Sequence, residues 1–262
     1  MKQMIYQVYV HNRSNLYDWC TESVAKYCEK YNIDHIIQSE PILRIKPNVF
    51  RTNRSEESYG KYGGYLPIYE KENAFDYFDD YDQIAIIDAD IYIRDTAPNI
   101  FNELTDKHCF GGVAERDMPL TSEYLRKIQN YSRMQYGSMK NIDFFWNDKG
   151  AEFFNMGMMV MNKSITKYIK GSAREFLERA EFQDFVDGLG PWKWSTDQTL
   201  LNTWVKKYKI PTKNLNWKWN GLYKGIEDPL IDACHFVHFF LRDKLPNRGE
   251  DIERLSNEIN RA

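Results

Sequence analysis

The residues with the clearest chemical potential are Asp88-Ala89-Asp90, which follow the unbroken apolar run Ile84–Ile87 of the expected strand Gln83–Ile87. Such a run reads as a buried strand of the parallel-sheet kind. It would deliver both carboxylates to a strand's carboxyl end, where open α/β sheets bind ligands. Two aspartates flanking a small residue can face one divalent cation. Their hard oxygens suit Mg²⁺ or Mn²⁺, with the remaining positions left for phosphate oxygens. Ala89 keeps the turn between them uncrowded. Asp-x-Asp alone is a weak signal, since two solvated aspartates at a strand end have the same sequence; the apolar run before it gives it weight.

Three other groups could join this pair. His238, in Val237-His238-Phe239-Phe240, offers a neutral imidazole to a mixed Asp/Asp/His set. From local context it reads equally as a core histidine bonded to a carbonyl. Its rival His235 lies an odd number of residues away, so on a strand the two point to opposite faces. Lys244 could neutralise phosphate charge, or be a surface lysine. In Phe154-Asn155-Met156-Gly157, an amide followed by glycine inside an apolar strand suggests a close backbone approach to a ligand, or a bulge. In Trp194-Ser195-Thr196-Asp197-Gln198, Ser195 or Thr196 can cap a helix whose first turn carries an acid and an amide.

The elements that must position these groups follow from periodicity. Strands are expected at Met4–Val10, His35–Gln38, Gln83–Ile87, Ile91–Ile93, Cys109–Val113, Phe153–Met161 and Cys234–Phe240. Helices are expected from Asn15, as a cap, to about Lys30, over Lys61–Phe78, from Ala97-Pro98 through Leu104, over Ser164–Ala180 and over Ser195–Lys207. Residues 41–60 read as a polar loop, 115–150 as an irregular insertion, and the last twenty or so as a surface helix. Alternating strands and helices argue for an α/β fold with a mostly parallel central sheet flanked by helices on both faces, a Rossmann-like arrangement. Residues 1–246 read as one domain and 247–262 as a C-terminal surface tail, with no linker splitting the chain.

Composition narrows the classes. Among 262 residues, 35 Lys+Arg stand against 38 Asp+Glu and aromatics make up 15%. A disordered chain lacks that aromatic content. A nucleic-acid binder would show a basic excess, so no nucleic-acid partner is expected. The most apolar stretch, Phe153–Met161, is about half of the roughly 20 residues a spanning helix needs, so no transmembrane segment is expected. The first dozen residues hold Lys2, Gln3 and Gln7 and read as a strand rather than a leader. Cys20, Cys28, Cys109 and Cys234 form no C-x-x-C pair, which fits reduced thiols and a cytoplasmic location. Oligomeric state is not legible.

Taken in order, these pieces resemble the GT-A glycosyltransferases, most of all glycosyltransferase family 8, the galactosyltransferase, glycogenin and galactinol synthase group. The resemblance rests on a first strand ending at His11-Asn12, on Ile84–Ile93 around Asp88-Ala89-Asp90, on Phe154–Asn162, on Asp197–Asn202, and on His238 with Lys244-Leu245-Pro246. It spans roughly residues 4–246. It implies that Asp88 and Asp90 are the metal-binding DxD pair, holding Mn²⁺ against a nucleotide diphosphate, and that His238 is the third protein ligand. It implies that Lys244 touches the diphosphate and that His11 and Asn12 grip the base and ribose. Asn155 would lie beside the donor sugar, and Asp197 and Gln198 would face its anomeric carbon. Lys61 would supply the cation on the helix before the DxD strand. Three positions depart from the family pattern: Leu241 replaces the glycine of H-x-x-G-x-x-K-P, Leu245 separates Lys244 from the proline, and Met156 stands where a small residue is usual, a change expected to reshape the sugar pocket.

The expected function is metal-dependent transfer of a sugar from a nucleotide-diphosphate donor, a UDP-hexose first, to a glycan or other hydroxyl acceptor. The resemblance implies retention of configuration by front-face attack, with the leaving diphosphate taking the acceptor's proton. Gln198 would stabilise the cationic sugar, because an amide is a poor nucleophile. An inverting enzyme would need a carboxylate base, for which Glu115, Asp117 and Asp197 are available. Acceptor selection is expected in residues 115–150 and 186–224. Two other classes compete. A non-catalytic carbohydrate-binding or scaffolding protein would use Trp192, Trp194, Trp217 and Trp219 as exposed platforms. A nucleotidyltransferase would want a glycine-rich loop after the first strand, which His11-Asn12-Arg13-Ser14-Asn15 lacks.

Overall fold

The computed structural model describes residues 1–10, 13–46, 53–193 and 195–260. His11, Asn12 and Trp194, named above, lie outside the described residues. Among the described residues, nine strands form two sheets. They are β1 Gln3–Val8, β2 Asp34–Gln38, β3 Gln83–Ile87, β4 Ile91–Ile93, β5 Phe110–Ala114, β6 Phe154–Asn162, β7 Thr212–Asn214, β8 Gly221–Leu222 and β9 Phe236–His238. The helices are α1 Asn15–Tyr31, α2 Asn53–Tyr62, α3 Ser122–Tyr136, α4 Thr166–Ile169, α5 Ala173–Leu177, α6 Gln183–Asp187, α7 Asp197–Lys207 and α8 Ile252–Ile259, with several 3-10 turns between.

The large sheet runs β2-β1-β3-β6-β5-β7. Five strands are parallel, and β6 is inserted antiparallel to both its neighbours. The small sheet runs β4-β9-β8. Every residue of β3 is buried, because alternate side chains enter two different cores. Ala85 and Ile87 join α1, β4 and β9 on one face. Ile84 and Ile86 join Tyr69, Phe75, Phe176 and Trp204 on the other. A strand covered on both faces needs a continuous apolar run rather than an alternating one, which is what made β3 readable.

Several boundaries depart from the periodicity. Residues 41–60 are not all loop, since α2 begins at Asn53. Lys61 belongs to α2, and the expected helix to Phe78 is a separate 3-10 helix over Pro67–Asp79. Tyr65 and Tyr69 are buried as expected, while Ile68 is only half-buried. The irregular insertion contains α3. The expected helix Ser164–Ala180 is broken at Lys170 and Gly171, both at positive φ. It restarts with a capping box in which Ser172 and Glu175 satisfy each other's backbone N–H groups. The start of α1 is capped from a distant part of the chain: Glu250 accepts from Asn15 N at 2.9 Å and Ser14 Oγ at 2.7 Å. Leu255 and Ile259 of α8 are buried, and Arg94 donates to the Ile259 carbonyl at 2.6 Å. Trp219 is buried and Trp192 and Trp217 are half-buried, so none of the three is an open platform. All four cysteines are free and buried. Among the described residues no helix is long and apolar enough to cross a membrane.

Candidate active site

Asp88 is the first residue beyond β3. Its N–H continues the ladder to the Gly157 carbonyl at 2.7 Å, and its own carbonyl accepts from Ile91 N at 3.1 Å, closing a tight turn. That turn carries the chain from the large sheet into the small one. Asp90 is pinned on the other side, its carbonyl accepting from Phe239 N at 2.9 Å. The β4–β9 register sets Ile91 opposite His238, so the imidazole arrives beside the carboxylates. Nε2 of His238 lies 3.3 Å from Asp90 Oδ1 and 3.8 Å from Asp88 Oδ2. The three residues offer ligand atoms all within 4.8 Å of one another. His235 does not compete: it packs on Trp219, with centroids 4.8 Å apart.

Charge is concentrated here. Burial alone would depress the His238 pKa, but Asp90 and then Asp88 hold it above its ordinary value. Burial likewise opposes ionisation of Asp90, yet His238 keeps that carboxyl below the usual range. A third charged element was not read from sequence. Lys71, on the 3-10 helix, is buried with Nζ 2.8 Å from Asp88 Oδ1 and 2.6 Å from Asp197 Oδ2. Burial works against its charge, but Asp197 and Asp88 outweigh it and hold the ammonium firmly protonated. Lys71 thus supplies a cation beside the aspartates that the sequence reading did not name. Lys61 is exposed and lines a separate groove of about 520 Å³ with Arg13, Ser39, Tyr62 and Arg242. Tyr17 borders both that groove and the smaller recess of about 200 Å³ holding Lys71, Asp88, Ala89 and Asp90.

β6 and α7 bring in the amides. The β5–β6 register shifts between Gly112 and Val113, so that Gly112 faces Met159 and Val113 faces Asn155. The intervening residues bulge, a device common beside active sites. Asn202 locks α7 to this strand, accepting from Phe154 N at 2.7 Å and donating to the Phe154 carbonyl at 2.8 Å. Thr196, not Ser195, caps α7, accepting from Gln198 N. Asp197 then turns to Lys71, and Gln198 Oε1 accepts from Met156 N at 3.2 Å. Met156 buries its side chain in the core, so the sugar-pocket change expected from its size is not where its bulk goes. It contributes backbone, its carbonyl accepting from Lys71 Nζ at 3.2 Å.

A cavity of about 540 Å³ opens beside these amides, lined by Glu115, Tyr124, Tyr131, Asn155, Gln198 and Phe240 among others. Glu115 is buried, and burial raises its pKa against hydrogen bonds from Tyr124, Asn155 and Gln198. Asp117, another carboxylate considered from sequence, is instead half-exposed and accepts from Asn214 Nδ2 at 2.7 Å. Lys244 pairs with Glu123 at 2.9 Å. The structure therefore brings together Asp88, Ala89, Asp90, His238, Asn155, Asp197 and Gln198, and sets Lys61 and Lys244 apart from that cluster.

Gly157 is required by close approach. A Cβ there would lie 2.3 Å from His238 Cε1, so Gly157→Ala must displace the imidazole. The expected result is a loss of Mn²⁺ affinity of roughly 10–100-fold, comparable to losing a ligand's support. It is read by electron paramagnetic resonance of free Mn²⁺, with thermal unfolding as the control. Unchanged affinity would contradict this reading of the site.

No family model matches the chain, and no curated protein matches it in sequence. Solved structures match it in shape. A galactosyltransferase, LgtC, crystallised with donor and acceptor sugar analogs, superposes with a TM-score of 0.58 at 14% identity, covering 98% of this chain and 95% of that one. A glycosyltransferase involved in the glycosylation of the major capsid of PBCV-1 gives 0.56 at 12%, covering 97% and 100%. Mouse xyloside xylosyltransferase 1 gives 0.51 at 12%, covering 94% and 99%. The fold is the GT-A fold, as expected from the sequence.

Proposed function

We propose that this chain is a metal-dependent glycosyltransferase. It moves a sugar from a nucleotide-diphosphate donor, a UDP-hexose in the first instance, to a hydroxyl acceptor with retention of configuration. The observation that carries the reading is the convergence of Asp88, Asp90 and His238 at the seam of the two sheets of a GT-A fold. The donor set of two carboxylates and one imidazole fits Mn²⁺, and Mg²⁺ less well because of the nitrogen. When bound, such a cation supplies Lewis acidity and a template for the departing diphosphate.

The chain's own groups do the rest. Lys71 holds Asp88 and Asp197 in fixed orientations and offsets part of the negative charge they bring. Asn155 gives its oxygen to Gly157 N at 3.1 Å and Asn220 Nδ2 at 2.8 Å, which turns its amide hydrogens to the cavity, on the side of Glu115. Gln198 Oε1 accepts from Met156 N at 3.2 Å and keeps a second lone pair to set against positive charge developing on the donor sugar; an amide oxygen stabilises that charge rather than attacking it. Glu115 and the aromatic wall of the adjoining cavity suit an acceptor that offers a hydroxyl to a buried carboxyl. The groove bordered by Tyr17, Arg13 and Arg242 is the place for the nucleoside.

The test is release of nucleotide diphosphate from UDP-, GDP- and dTDP-sugars, with Mn²⁺ and with chelator. Slow hydrolysis of one donor, abolished by chelator, is expected and names the sugar. Absence of both release and Mn²⁺-dependent UDP binding would sink the assignment.

A further inference from the structure

Four buried residues form a chain of hydrogen bonds whose direction is fixed from one end. Gly157 N–H can only donate, and it meets the Asn155 side chain at 3.1 Å, so the atom facing it is Oδ1. The same Oδ1 lies 2.8 Å from the side chain of Asn220, which must therefore present its Nδ2. The opposite end of that amide is then Oδ1, and it faces His238 Nδ1 at 3.1 Å. A carbonyl oxygen requires a hydrogen there. Nδ1 carries it, and Nε2 is left to face Asp90 and Asp88.

We infer that Asn220 is a positioning residue, fixing His238 in the Nδ1–H tautomer so that Nε2 presents its lone pair to the metal site. The inference rests on the metal-site reading above. Asn220 suits this role. It is fully buried. It ends a 3-10 turn, and the next residue enters β8, which pairs with β9 so that Leu222 stands opposite His238. Its backbone is thus tied to the strand that carries the imidazole. Metal-bound histidines commonly owe their orientation to such a partner on the other nitrogen. The same amide also holds Asn155, so the group beside the donor sugar and the metal ligand share one support.

The test uses ¹⁵N-histidine-labelled full-length protein saturated with Zn²⁺, a diamagnetic ion that accepts imidazole nitrogen and carboxylate oxygen, reading the protonated ring nitrogen by long-range ¹H–¹⁵N correlation. Mn²⁺ affinity is measured in parallel by paramagnetic resonance on the wild type, Asp90→Asn, Asn220→Leu and Asn220→Asp. The wild type is expected to show hydrogen on Nδ1. Asn220→Leu should weaken Mn²⁺ binding roughly 10–100-fold. Asn220→Asp, which keeps an acceptor for Nδ1–H but cannot donate to Asn155, should keep the tautomer and bind within a few-fold of wild type. A purely structural role would make both variants fail alike. Hydrogen on Nε2 of the wild type, which needs no variant to fold, overturns the inference. So does undiminished Mn²⁺ binding by Asn220→Leu while Asp90→Asn loses it, and then the metal site itself survives. Failure of the wild type to bind Mn²⁺ overturns the site and the inference together.

Discussion

Asp90→Asn retains the fold and loses metal-dependent donor cleavage by at least roughly 10²–10³-fold, the scale of removing one fixed electrostatic group from a reacting centre. The substitution keeps the shape of the side chain and the backbone bond from Phe239 N to the Asp90 carbonyl. It removes the charge and one of the two carboxylate oxygens. That charge faces His238 Nε2 at 3.3 Å and is the largest influence holding the imidazole's pKa up. Asp90→Asn therefore isolates chemistry from stability in a way Asp88→Asn does not, because Asp88 also pairs with buried Lys71. The measurement is chelator-sensitive nucleotide-diphosphate release beside a thermal melt. Full turnover in Asp90→Asn would remove this residue from the mechanism.

Lys71→Met has the largest expected effect on stability. The ammonium is almost wholly buried between Asp88 and Asp197, and Asp197 is itself buried. Removing the cation strands a carboxylate without its counter-charge, which costs about 3–5 kcal/mol. At roughly 2–4 °C per kcal/mol for a chain of this size, the melting temperature should fall on the order of 10 °C. Replacing both partners, Lys71→Met with Asp197→Leu, removes the stranded charge and should recover much of that loss. Activity should not return, because Asp88 has lost its orienting partner. Calorimetry of the single and double variants checks this. A double variant no more stable than the single one would mean the cost lies in packing rather than in charge.

Sequence legibility tracked how local the cause of each feature was. Asp88 and Asp90 were readable because β3 is apolar from Ile84 on and ends where the carboxylates begin. His238 over His235 could not be chosen from parity alone; the family resemblance singled out His238, and the β4–β9 register is what sets it beside the carboxylates. Lys71 was invisible for a clear reason. It lies in Glu70-Lys71-Glu72-Asn73, a charged run that reads as a solvated face, yet all four are buried. Only tertiary packing puts them inside. Lys61, expected to supply a cation on the helix before the DxD strand, lines the next groove. α3 escaped because its inward positions are Tyr124, Ile128, Ser132, Gln135 and Tyr136, a helical spacing with two polar members that dilute the apolar signal. The break between α4 and α5 was legible in principle, since Ser172-Ala173-Arg174-Glu175 is a capping-box sequence. The two-residue β8, and with it Asn220, carries no signal that a single sequence could reveal.

The turn at Asp88-Ala89-Asp90 also bears on how the molecule coheres. Asp88 closes the large sheet, whereas Asp90 and His238 belong to the small one. A cation held by all three is bonded to both. Its binding free energy is then also adhesion between two halves of the architecture, because a ligand that binds only the assembled state stabilises that state by mass action. Under the proposed function, ion binding and the joining of the two sheets would then be linked, with the small sheet held more tightly when the site is loaded.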